Sequence, residues 1–99
     1  VTRHAKRTDA NQEQIVSELR SYGYRVKVTS QIGQGFPDIL VSRGKFGIGV
    51  EIKDKGKRKQ LTDSEVEMRY WWMQLGMRYI VVENTSEILK SFKKLTEKL

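Results

Sequence analysis

The chain has no cysteine, one histidine and one proline among its 99 residues. Without cysteine there is no disulfide, no thiolate metal ligand and no thiol nucleophile, which fits a reducing cytoplasm. The single histidine, His4, stands in a basic N-terminal segment, so neither a Ser-His-Asp triad nor a zinc site can be built around it. No hydrophobic run approaches the ~20 residues of a membrane-spanning helix, and no signal peptide is visible. A chain this short holds one core and one domain.

What the sequence has in excess is positive charge, +7 in all and unevenly spread. Residues 1–8 carry Arg3, Lys6 and Arg7 and read as a flexible basic arm. Residues 43–60 carry Arg43, Lys45, Lys53, Lys55, Lys57, Arg58 and Lys59 against only Glu51 and Asp54. The remainder is close to neutral. Such a field suits a polyanion, nucleic acid being the commonest. The alternative is a solvated basic surface that keeps the chain soluble.

The periodicity predicts seven elements. Asp9 with Gln12 makes a capping-box pattern, and Ile15, Val16, Leu19 and Tyr22 follow at helical spacing up to Gly23. Residues 24–28 alternate as a half-buried strand. A loop with two glycines leads to Pro37, then a strand over 38–41. The turn 42–47 returns the chain into a strand over 48–53, which predicts a hairpin with Asp38 beside Glu51. Thr62 with Glu65 caps a helix that runs to Leu75 and stops at Gly76. Residues 79–82 are continuously apolar, a strand buried on both faces. Thr85 or Ser86 caps the last helix, whose stripe is Ile88, Phe92, Leu95 and Leu99. The fold class is α/β, a small mixed sheet flanked by helices in the order αβββαβα.

The chemistry concentrates in Pro37-Asp38 and Glu51-Ile52-Lys53. On a strand, Glu51 and Lys53 point one way while Val50 and Ile52 point the other. Paired opposite charges near a strand end are costly unless something coordinates them. Asp38 and Glu51 are hard oxygen donors suited to Mg²⁺ or Mn²⁺, with the Ile52 carbonyl as a third ligand. Lys53 would face the phosphate. Glu13, on the flank of the first helix's apolar face, is the candidate for an outer ligand or a second metal; its rival Glu18 lies on the opposite flank. Lys55, Lys57, Arg58 and Lys59 are candidate phosphate contacts, as are Arg3, Lys6 and Arg7 of the arm; Gln34 borders the site.

These residues resemble the PD-(D/E)XK nucleases, which have a restriction-endonuclease-like fold. The stretches Gly35-Phe36-Pro37-Asp38-Ile39-Leu40-Val41 and Val50-Glu51-Ile52-Lys53, then a basic loop, Leu61-Thr62 and a helix ending Leu75-Gly76, are similar to the VRR-NUC (virus-type replication-repair nuclease) domain. Glu13-Gln14-Ile15-Val16 with Leu19 and Gly23-Tyr24 is similar to the archaeal Holliday-junction resolvases. The likeness spans about residues 9–90, and the domain is expected over 9–99. It implies a Mg²⁺- or Mn²⁺-dependent endodeoxyribonuclease that cuts branched DNA, four-way junctions above all. Flap or replication-fork cutting by a monomer, a catalytically silent nucleic-acid-binding module and a structural subunit of a larger complex are the other readings. Many VRR-NUC domains carry glutamine where this chain has Glu65, which leaves Glu65 as the acid of the capping box. A stand-alone domain of this kind implies a bacterial or phage-infected cell.

The helix over 63–75 carries a second message. Val66, Tyr70 and Met73 form one apolar face, and Met68, Trp71, Trp72 and Leu75 form the opposite one. One face covers the sheet. The other needs a partner, so a homodimer through Met68, Trp71, Trp72 and Leu75 is expected. Dimerisation is also the cheapest way for a small domain to widen its footprint on DNA.

Overall fold

In the computed structural model, residues 9–97 are described. The basic arm over 1–8, with His4, Arg3, Lys6 and Arg7, and the last stripe residue Leu99 lie outside them. The elements run α1 (Asp9–Ser21), β1 (Arg25–Val28), β2 (Ile39–Arg43), β3 (Phe46–Ile52), α2 (Asp63–Gln74), β4 (Arg78–Val82) and α3 (Thr85–Glu97). This is the predicted order. Among these residues no helix is long and apolar enough to cross a membrane.

The four strands lie in the order β1-β2-β3-β4, the first three antiparallel and β4 parallel to β3. The β2–β3 hairpin pairs Arg43 with Phe46, so its loop is only Gly44-Lys45. Gly44 takes φ +60° there, the left-handed conformation that tight hairpin turns demand. The crossover through α2 makes the parallel β3–β4 pair possible.

One sheet face is closed. α1 and α3 lay Ile15, Leu19, Ile88 and Phe92 on Ile39, Val41, Ile48, Val50 and Val82, all buried. The other face is covered by α2 alone. Trp72 lies over Gly49, where an added Cβ would come within 2.8 Å of the indole. It packs edge-on against Phe36 and Tyr79 and donates its indole N–H to the Arg78 carbonyl at 2.8 Å. Trp72 is therefore core, which corrects its assignment to a subunit interface. The exposed apolar side chains of α2 are Val66, Tyr70, Trp71, Met73 and Leu75, drawn from both predicted faces. The sheet contacts only a narrow edge of the helix.

One cap differs from expectation. Gln12 is buried and donates its amide to the Ser30 hydroxyl at 3.4 Å. At α3 it is Asn84 whose side chain accepts from the Glu87 N–H, while Thr85 is buried and donates its hydroxyl to Glu18. The Thr62–Glu65 capping box of α2 is formed in both directions.

Candidate active site

The register that pairs Ile39 with Val50 carries Asp38, one residue earlier, opposite Glu51. Asp38 is anchored from two sides. Its carbonyl accepts from the Thr29 N–H at 2.8 Å, and the buried Thr29 hydroxyl donates to the Pro37 carbonyl at 2.7 Å. Its carboxylate accepts from the Ile52 N–H at 2.8 Å. A strand residue turns its N–H and C=O to the same side, so the Ile52 carbonyl also faces the Asp38 side of β3.

Glu51 is buried, with 4% of its surface exposed. Its carboxylate lies 3.5 Å from the Tyr79 hydroxyl and 3.7 Å from Lys53 Nζ. The closer partner of Lys53 is Glu65, whose carboxylate accepts from Nζ at 2.9 Å. The same Glu65 oxygen accepts from the Thr62 N–H at 3.0 Å. The acid of the capping box therefore belongs to the site. Asp38, Glu51 and Lys53 come together as predicted, and Glu65 and Tyr79 join them.

The electrostatics follow from this crowding. Burial, then the neighbouring Asp38 and Glu65, push the Glu51 carboxyl up to about 9. Burial also raises Asp38, with the Ile52 N–H working in the other direction. Burial opposes the charge of Lys53, but Glu65, Glu51 and Asp38 outweigh it and hold the ammonium above its ordinary value. For Glu65, burial is outweighed by the Thr62 N–H and Lys53, which hold it below the usual range. A buried acid beside a half-buried one resists the ionisation of both near neutrality unless further positive charge arrives. That charge deficit, with hard oxygens from Asp38, Glu51 and the Ile52 carbonyl, fits a hard divalent cation. Among the described residues no three His, Cys, Asp or Glu side chains form a closed cage, so such an ion would keep several water or substrate ligands.

The structure separates other predicted members from this cluster. Glu13 is exposed in a shallow groove with Val16, Arg20 and Val28 and makes no polar contact with Asp38, Glu51 or Lys53. Residues 11 and 12 are what α1 turns inward: the Asn11 amide reaches the Lys53 carbonyl at 3.5 Å, and Gln12 reaches Ser30. Asn11 lies on the side of the helix shared with Glu18 and nearly opposite Glu13, so the site meets the other flank from the one expected. Glu18 is a link from α1 to α3 through Thr85. Gln34, at φ +55°, lies against the outer side of α2 beside Ser64, Tyr70 and Trp71. Lys55, Lys57 and Lys59 are exposed, consistent with phosphate contact. Arg58 is engaged instead, donating to the Val81 carbonyl and pairing with Glu83 and Glu87.

Sequence reasoning missed Tyr79 and underused Gly35. Gly35 takes φ +81°, and a Cβ there would fall 2.1 Å from the Ser64 carbonyl oxygen. Only glycine lets the 29–36 loop press on the first turn of α2 and present its carbonyl to the Tyr79 hydroxyl at 3.3 Å. The two-glycine loop was the available signal.

No family model and no curated protein sequence matches the chain. Solved structures do. One described as "VRR_NUC domain" superposes with a TM-score of 0.65 at 21% identity, over 83% of this chain and 89% of its own. Another, "VRR_NUC domain protein", gives 0.61 at 15% identity, over 84% and 85%. At these identities the likeness is one of fold, and the αβββαβα order agrees with it.

Proposed function

We propose, from the VRR-NUC fold this chain shares, that it is a metal-dependent, structure-selective DNA endonuclease that hydrolyses phosphodiester bonds. The observation that carries the reading is the buried Glu51 set against the half-buried Asp38 and beside Lys53, two carboxylates converging on one corner. Asp38, Glu51 and the Ile52 carbonyl would hold Mg²⁺ or Mn²⁺. A bound divalent ion supplies polarisation of the phosphodiester and a more acidic water. Lys53 stabilises charge that develops on the phosphate and orients the attacking water. Glu65 restrains Lys53, and Tyr79 and Gly35 close the back of the corner against bulk water.

The substrate we favour is a four-way junction, cut by a homodimer. The support for a dimer is the exposed apolar surface on two sides of α2 and its C-cap: Val66, Tyr70 and Met73 on one, Trp71 and Leu75 on the other. Large apolar patches on a surface usually mark contacts. A two-fold dimer carries two acid corners, the arrangement that paired symmetric cuts require.

The test is cleavage of labelled four-way junction, flap and linear duplex DNA in Mg²⁺, Mn²⁺ or EDTA, beside Asp38→Ala and Lys53→Ala. Paired junction cuts that need metal and vanish in both variants are expected. Preferential flap cutting would keep the site and replace the substrate. Binding without cleavage in any metal would overturn the enzyme reading and leave a binding module.

A further inference from the structure

A second surface stands apart from the acid corner. The β4 edge, the C-terminal half of α2 and the flank of α3 enclose a groove of about 690 Å³. Lys59 reaches it from the loop after β3, Arg69 from α2, and Lys90 and Lys94 from α3. Lys90 and Lys94 are one turn apart and so share a side of their helix. Glu87 is the acid that lines the groove, and it is paired with Arg58. Among the described residues, Lys59, Arg69, Lys90 and Lys94 make no ion pair.

Cations from three separate elements that converge with no acid paired to them repel one another, and a polyanion relieves that repulsion. Arg58 closes the β4 edge at the Val81 carbonyl and pairs with Glu83 and Glu87, offsetting one of their two charges, so Lys59, Arg69, Lys90 and Lys94 keep the groove net positive. Tyr79 lines the groove and also reaches Glu51 with its hydroxyl, so the two sites share a wall. The loop between Lys53 and Thr62 runs from one to the other.

We infer that this groove is a second, non-catalytic binding site for the phosphodiester backbone of a nucleic-acid arm whose scissile phosphate lies at the acid corner. The inference rests on the nuclease reading and extends it to Arg69, Lys90 and Lys94. The groove presents cations on separate elements, the contact type that holds a phosphate backbone whatever its sequence. A continuous duplex or a junction arm is held equally well.

The test is fluorescence-anisotropy binding of a labelled four-way junction and a linear duplex in EDTA, across a NaCl series. The variants are R69Q/K90Q/K94Q and, as a charge-matched control on the β1 edge and the β2–β3 turn, R25Q/K27Q/K45Q. Each lost phosphate contact makes the plot of log K against log[salt] shallower by ~0.9. The groove variant is expected to lose a slope of about 2 to 3 and to bind at least about tenfold more weakly at fixed salt. The control should keep a slope within about one of wild type. Equal losses in the two triple variants would reduce the effect to net charge and overturn the groove. Should the triple variant melt early, K90Q and K94Q singly carry the test, each expected to shift the slope by about one. Binding to phosphatidylserine vesicles but not DNA would also overturn it. Salt-dependent binding with an unchanged groove variant defeats this inference alone; wild type that binds no DNA defeats the nuclease reading with it.

Discussion

The two faces of the sheet are finished to different standards. On the α1/α3 face the central strands present buried apolar residues, with Val26, Phe46, Ile52 and Ile80 half-buried around them, and two helices cover it. On the α2 face one helix touches the sheet through Trp72, and the positions beyond it are glycine, charge or open apolar surface. The first face supplies stability. The second holds Asp38, Glu51 and Lys53, whose mutual burial costs free energy in the ion-free protein. A 99-residue domain with a total stability of roughly 5–15 kcal/mol can carry such a corner only if the other face is complete.

That division is open to direct attack. Ile88→Ala, at a fully buried position on the closed face, should cost about 2–5 kcal/mol in denaturant unfolding. It should leave cleavage by the remaining folded protein unchanged at low temperature. Lys53→Ala should do the reverse, lowering the cleavage rate by roughly 10²–10³-fold with little change in unfolding midpoint. A comparable loss of stability in both variants would erase the distinction between the faces.

Gly35→Ala probes the seam between loop and helix. A methyl group there meets the Ser64 backbone, which cannot yield without moving the first turn of α2. We expect a cost of about 1–3 kcal/mol together with reduced cleavage, because the displaced turn carries Glu65. Loss of stability with full activity would detach the loop from the site.

The acid corner also predicts an unusual pH dependence. Glu51 is ordinarily half-titrated near 4.5 in the unfolded chain and near 9 in the folded one. The folded state therefore binds more protons between those values, and its stability falls as pH rises through that window. In EDTA the melting temperature should drop from pH 5 to pH 9, and Glu51→Gln should flatten the slope. Mg²⁺ or Mn²⁺ should recover more of the loss at the upper end. A melting temperature that rises over this range in wild type would mean that the two acids are not buried against each other.

The sequence made most of this legible because hairpin register is local. The apolar run after Asp38 and the alternation in 48–53, joined by a turn read over 42–47, were enough to place Asp38 beside Glu51, although the pairing runs further, to Arg43 and Phe46. The α2 interface was not legible, because periodicity shows that a helix has two apolar faces but not which one a sheet accepts. That choice is made by Gly49, whose missing side chain leaves the hollow that Trp72 fills. Arg58 read as one of four loop cations, and its acids Glu83 and Glu87 are distant in sequence. Glu65 was visible as a capping acid. Its contact with Lys53 depends on how the 53–61 loop folds back, and no spacing rule encodes that.

The smallest and most discriminating change is at Glu65. Glutamine retains an oxygen for the Thr62 N–H and for Lys53, so the capping box survives. It removes one negative charge from beside Glu51, and the Glu51 carboxyl should then ionise at lower pH. Glu65→Gln is therefore expected to melt within a few degrees of wild type. The pH at which the EDTA and Mg²⁺ melting curves separate should move down. Glu65→Ala loses the cap as well, about 1 kcal/mol, and frees Lys53 to fall back on Glu51 at its present 3.7 Å. If Gln and Ala behave alike in melting and in pH response, Glu65 serves the helix only. If Gln shifts the pH response while keeping the cap, the same carboxylate starts α2 and sets the charge balance of the corner.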